Sequence, residues 1–166
     1  MVELTYRSIR TSDFDDLHAI VSYWSVVRQL GSWPWPADAD FTRTKCKPFI
    51  GEGFVWAICI NDRLVGTIGI GPHDLGYMLH PDQHSKGIIT KAAQTAVNHA
   101  FTTSDRDYLT ASTWSDNTGS YRVLQKLGFE HWQTRYMHAK ARNRPTLVQH
   151  QRLTRDTWDR LRTAPQ

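Results

Sequence analysis

The chain has 166 residues, 40% of them hydrophobic and 11% aromatic, with 7 Trp, which excludes a disordered or low-complexity polypeptide. A single domain of this length buries about two thirds of its unfolded surface and needs no disulfide or metal to fold. The net charge of +4 is mild, and its densest basic cluster, Lys140, Arg142 and Arg144, reads as a hairpin turn, so a nucleic-acid partner is not expected. The longest apolar run, Phe54 to Ile60, is too short to span a bilayer. Met1 to Thr5 lacks the basic and apolar stretches of a secretory signal. Of the two cysteines, Cys46 and Cys59, the second lies inside the apolar run as a small core residue. Together these suit a reducing, cytoplasmic setting.

In chain order, Leu4 to Arg10 reads as a short strand. Ser12 and Asp15 form a capping-box pattern ahead of Phe14, Leu17, Ile20, Val21 and Trp24 at helical spacing. Trp33-Pro34-Trp35-Pro36 is an elbow that cannot be helix interior, and Asp38 to Ile50 reads as a second helix. Phe54 to Ile60 and Leu64 to Ile70 pair around Asn61-Asp62, and Leu75 to Leu79 follows as a third strand. Ile88 to Phe101 carries the clearest helical stripe. Tyr108 to Thr113 is a strand, and a helix starts at Asn117 and ends at Gly128. Phe129 to His138 and Leu147 to Leu153 are strands, and Thr154 caps a last helix ending near Leu161. The order implies one α/β domain over 1–166, a mixed, mostly antiparallel sheet with helices on both faces.

Two segments carry chemistry. His80-Pro81-Asp82-Gln83-His84-Ser85-Lys86-Gly87 runs from a strand end into a helix N-terminus, where free amides converge on one spot and favour phosphate. Each charge there gains only about 0.3–1 kcal/mol from the helix dipole, so several amides must act together. Asn117 through Phe129 sets a polar amide just past a strand end, where it can serve an extended ligand or simply cap the helix. Trp33 and Trp35 are candidates to wall an acceptor pocket, or to plug the core edge. His80 and His84 have no evident third ligand, so no metal site is expected.

With these residues the chain resembles the GNAT superfamily of acetyl-CoA-dependent N-acetyltransferases, most of all the ribosomal-protein-alanine N-acetyltransferase branch. The likeness rests on Tyr6 to Arg10, the Trp-Pro elbow, Leu64 to Gly69, Leu75 to Pro81, Lys86-Gly87 and Asn117 to Phe129. It implies a splayed pair of parallel strands holding acetyl-CoA. Met78, Leu79 and His80 would serve the pantetheine arm with Asn117 near it. The amides of His84, Ser85, Lys86, Gly87, Ile88 and Ile89, with the Thr90 hydroxyl, would hold the pyrophosphate. The resemblance gives Ser120 as the group meeting the departing thiolate, or else as a small residue that lets the helix approach the cofactor, and Asp74 as the base toward the amine, or else as a turn residue after Gly71-Pro72, with Met78 or Leu79 N–H at the oxyanion. Two positions depart from the family: Ile89 replaces a second small residue in the loop, and Leu124 stands where many members carry a tyrosine. The acceptor expected is an amine, either a protein N-terminal α-amine or a small molecule such as a polyamine or antibiotic. A non-catalytic acyl-CoA sensor is the alternative outside catalysis, and a homodimer is left open.

Overall fold

The computed structural model describes residues 3–163, so Met1 and Val2 of the N-terminal reading lie outside it. The apolar alternation of the sequence builds seven strands: β1 (Thr5–Ser8), β2 (Phe54–Ile60), β3 (Arg63–Ile70), β4 (Asp74–Leu79), β5 (Tyr108–Trp114), β6 (Glu130–Ala139) and β7 (Arg144–Thr154). Its 3.6-residue stripes build α1 (Phe14–Val21), α2 (Trp24–Val27), α3 (Ala39–Lys45), α4 (Ile88–Thr102), α5 (Thr118–Lys126) and α6 (Arg155–Thr163). The strands form one sheet in the order β1-β2-β3-β4-β5-β7-β6. Every pairing is antiparallel except β4 with β5.

Helices cover both faces, as expected. Ala92, Ala93, Ala96, Val97, Ala100 and Phe101 of α4 pack with Leu124 of α5 and Trp158 of α6 on one side. Leu17, Ile20, Val21, Val26 and Val27 of α1 and α2 pack against Ala57, Cys59, Leu64 and Met78 on the other. The Asn61-Asp62 turn has both residues at positive φ (50° and 62°), the conformation a two-residue hairpin requires.

Three local readings are corrected. The capping box is formed by Arg10 and Asp13, not Ser12 and Asp15, and it starts the 3-10 turn Thr11–Asp13 that leads into α1: the Arg10 amide donates to Asp13 Oδ2 at 2.7 Å. Asp13 is buried there because Arg7 donates to both its oxygens, at 2.8 and 2.7 Å. Trp24 does not continue α1; the chain breaks at Ser22-Tyr23 and Trp24 opens α2. The second helix is shorter than Asp38 to Ile50. Asp38 Oδ1 accepts from the Phe41 amide at 3.0 Å to start α3, which ends at Lys45 ahead of Pro48.

Candidate active site

The parallel strands β4 and β5 are paired only at Asp74 with Thr110 and Leu75 with Ala111. Beyond those pairs they diverge and open a cleft of about 570 Å³. The backbone groups facing the gap follow from the ladder on the other side of β4. His80 N–H donates to Val65 carbonyl at 2.8 Å and Gly71 N–H to Asp74 carbonyl at 3.1 Å, so the even-numbered residues of β4 turn to β3. The odd-numbered residues Tyr77 and Leu79 therefore turn their N–H and C=O groups toward β5. Thr110 N–H, donating to His73 carbonyl at 2.9 Å, gives the matching parity on β5 and turns the Ser112 backbone to the gap. Met78 lines the cleft, but its amide and carbonyl face β3; the open donors are those of Tyr77 and Leu79.

A short 3-10 turn, Pro81–Gln83, leads to α4. Ser85 (φ 61°) and Gly87 (φ 74°) are both left-handed and swing the chain into the helix. The first intrahelical bond is Lys91 N–H to Gly87 carbonyl, which leaves the amides of Ile88, Ile89 and Thr90 without helical partners. His84, Ser85, Gly87, Ile88, Ile89 and Thr90 all line the cleft at this end. A side chain at Gly87 would meet nothing within 4 Å, so the approach to these amides is open. The bulky Ile89 packs against the core, which answers its departure from the family's small residue. His84 Nε2 donates to Leu79 carbonyl at 3.0 Å and ties the loop to the strand end. Two loop residues stand apart from the cleft. His80 Nδ1 accepts from the Asp82 amide at 3.2 Å, and its ring packs edge-on to Tyr23. Lys86 is exposed and bonds Gln83 Oε1 at 3.2 Å.

The opposite wall is the start of α5. Asn117 caps it by accepting from the Ser120 amide at 3.2 Å through Oδ1, which leaves its side-chain amide hydrogens unengaged at the cleft wall. Ser120 lines the cleft, with its Oγ 2.6 Å from the Tyr77 hydroxyl. Burial pushes the Tyr77 phenol up to about 12, against the opposing hydrogen bond with Ser120, so it holds its proton at neutral pH. Leu124, one helical turn on from Ser120, is buried and also lines the cleft.

Asp74 sits at the closed end of the splay, exposed, where the Thr110 hydroxyl donates to its carboxylate. It is outside the cleft lining. Trp33 and Trp35 are also outside it: Trp33 is buried against Phe41, and Trp35 lies tilted against Trp24, each with ring centroids 5.2 Å apart. The prolines on either side fix the elbow so that the indoles turn to α2 and α3. The lip is formed instead by Ser25, Val26, Gln29, Leu30 and Gly31. Tyr77 and Ser112 line the cleft as well, beyond the site residues expected from the sequence. Strand alternation with Leu75 and Leu79 marks the face of Tyr77, whereas nothing local marks Ser112 or the lip. Among the described residues, no group of three or more His, Cys, Asp or Glu side chains is placed to hold a metal ion.

The arrangement suits a long ligand with an anionic segment at the α4 N-terminus and an extended amide-bearing arm between two strand edges whose backbone groups, among them the Tyr77 and Leu79 N–H, face the gap. Acetyl-CoA has this form. Residues 3–130 match the family described as the acetyltransferase (GNAT) domain. The uncharacterised N-acetyltransferase YnaD of Bacillus subtilis is 26% identical over 72% of this chain and 76% of its own length. Among solved structures, RimL, a ribosomal-protein alpha-N-acetyltransferase in complex with coenzyme A, superposes with a TM-score of 0.78 at 18% identity, covering 93% of this chain and 95% of RimL. The aminoglycoside acetyltransferase AAC(6')-Ib, also with coenzyme A, gives 0.75 at 16% identity, covering 97% and 100%. A strand pair splayed over an open helix N-terminus, in a chain whose residues 3–130 match that family, makes this protein a member of the GNAT family of acetyl-CoA-dependent N-acetyltransferases.

Proposed function

We propose that the chain works as one domain over 1–166 and acetylates the α-amine at the N-terminus of a peptide or protein. The observation that carries this reading is the open face beside Asp74. Ser112, Trp132, Arg135 and Arg152 are exposed on β5, β6 and β7, so the amine side of the cleft is a platform that admits a polypeptide. RimL, named for such a reaction, and the aminoglycoside enzyme share the fold almost equally, so the fold alone favours neither acceptor.

Acetyl-CoA supplies an activated acyl group as a thioester. The amides at Ile88, Ile89 and Thr90 hold its anionic segment, and the facing edges at Tyr77, Leu79 and Ser112 align its arm. The Tyr77 or Leu79 N–H faces the gap, where an oxyanion would form as the amine attacks. Tyr77 and Ser120 share one hydroxyl–hydroxyl bond, and with Tyr77 as its donor the Ser120 hydrogen is free for the departing thiolate. This pair takes the place of the tyrosine absent at Leu124. An α-amine of pKa about 7.8 is roughly 15% neutral at pH 7, against below about 0.1% for a lysine amine, so a weak base suffices. Asp74 orients the ammonium and takes its proton through water.

The test is thiol release from acetyl-CoA against N-terminal peptides, polyamines and aminoglycosides, repeated with Ser120→Ala. Peptide turnover with kcat lowered about tenfold or more in the variant, and KM for acetyl-CoA unchanged, is the expected result. Turnover confined to polyamines or aminoglycosides overturns the acceptor assignment. Coenzyme A binding without turnover on any amine makes the protein a sensor instead.

A further inference from the structure

Ser112, His150 and Arg135 stand on neighbouring strands of the exposed sheet face, on β5, β7 and β6. Ser112 Oγ lies 2.7 Å from His150 Nδ1, and Arg135 Nε lies 3.0 Å from His150 Nε2. An arginine Nε–H is only ever a donor. The hydrogen bond at Nε2 must therefore run from Arg135 into the imidazole lone pair. The neutral ring then carries its proton on Nδ1 and donates it to Ser112 Oγ. The other tautomer would set two N–H groups against each other. Protonation of Nε2 meets the same obstacle. Burial first, and then the charges of Arg135 and His131, hold His150 below the ordinary imidazole range against the opposing pull of Asp74. His150 is thus a fixed donor at neutral pH, and its ring is flanked by Trp132 at 6.3 Å.

The consequence falls on Ser112, which lines the cleft and whose backbone faces the gap. With a lone pair engaged by His150, its own hydrogen is left to point at a ligand. We propose that Arg135, His150 and Ser112 form a relay presenting a hydroxyl donor on the amine side of the cleft, which selects amines bearing a carbonyl oxygen beside the nitrogen. The proposal rests on the α-amine reading and deepens it. Asp74 pairs with Thr110, and Ser112 lies two residues further along β5, so Asp74 and Ser112 occupy one face of adjacent strands on a diagonal. That span suits an N–C–C=O unit with its ammonium at the carboxylate and its oxygen at the hydroxyl. A polyamine offers only further N–H donors, so it accepts no hydrogen bond from Ser112, which water then takes.

Two measurements test this on the intact protein. The first is the ratio of kcat/KM for an N-terminal tripeptide amide to that for an alkylamine of similar pKa without a carbonyl. Ser112→Ala and His150→Ala should each lower this ratio about tenfold. His150→Asn, whose side-chain amide keeps a donor near the Nδ1 position, should restore most of it. The second is 15N NMR of the His150 ring, which should show a protonated Nδ1 and an unprotonated Nε2, with the Nε2–H form gaining in Arg135→Met. An unchanged ratio in Ser112→Ala, or a protonated Nε2 in the parent protein, overturns the relay. Absence of transfer to either amine overturns the α-amine reading and the selectivity built on it. The tautomer is read independently of turnover, so the two failures are distinguishable.

Discussion

At the scale of single residues, Asp13 shows how one buried carboxylate is held charged. Burial works against its charge, but the two bonds from Arg7 and the amide of Arg10 outweigh burial and keep its pKa below the ordinary carboxylate value. A carboxylate with a depressed folded-state pKa adds stability above its unfolded value of about 3.9, and that stability is lost as pH falls through the folded value. Asp13→Asn should therefore lower stability by about 2 kcal/mol at pH 7, the worth of its charge-assisted bonds, with the difference shrinking below about pH 4. Urea denaturation of both proteins from pH 3 to 7 measures this; a pH-independent difference would contradict it.

At the scale of elements, two glycines end or start helices for different reasons. Gly128 (φ 90°) closes α5: its amide bonds Gln125 carbonyl and the Phe129 amide bonds Leu124 carbonyl, both at 3.0 Å, a Schellman motif. A Cβ there would lie 2.5 Å from Leu161 Cδ1 on α6. Gly87 (φ 74°) starts α4 in open space. Gly87→Ala should cost only the left-handed conformation, about 1–2 kcal/mol, whereas Gly128→Ala should cost slightly more because the exposed Leu161 side chain must also swing aside. Chemical denaturation of the two variants compares these losses, and equal losses would show that Leu161 yields freely.

At the scale of the whole molecule, one ionic cluster joins three regions around the cleft. Arg142, on the turn between β6 and β7, donates to both oxygens of Asp116 at 2.9 and 2.8 Å, to Arg28 carbonyl at 2.8 Å and to Gln29 Oε1 at 3.0 Å. Arg28 Nη2 donates to Asp116 as well, at 2.7 Å. The Arg142 side chain is only 5% exposed, so it needs that carboxylate. Its hydrogen bonds, more than burial opposes them, hold Asp116 below the usual carboxylate range. Asp116→Ala should cost about 3 kcal/mol by leaving a buried guanidinium without its counter-charge. It should also raise KM for acetyl-CoA and amine, because Gln29 lines the cleft and Asp116 precedes the Asn117 cap. Denaturation and steady-state kinetics on the same variant test both effects; full stability with unchanged KM would mean that the cluster is incidental.

The sequence alone determined features whose causes lie within about ten residues: the stripe of α4, the hairpin at Asn61-Asp62, the loop from His80 to Gly87, the Asn117 cap and the Gly128 stop. Each is written in local backbone preference and side-chain periodicity. The mixed sheet and its parallel splay were legible through the order of these elements and the family resemblance. The tertiary structure decided what depends on register and on which surfaces meet. It set which parity of β4 faces the gap, turned Trp33 and Trp35 away from the cleft, and placed Tyr77 beside Ser120, 43 residues apart. It also joined Ser112 to His150 across 38 residues and His150 to Arg135 across 15. No local pattern specifies such pairs, because strand pairing between distant segments fixes them and a shift of one residue would turn each side chain to the other face.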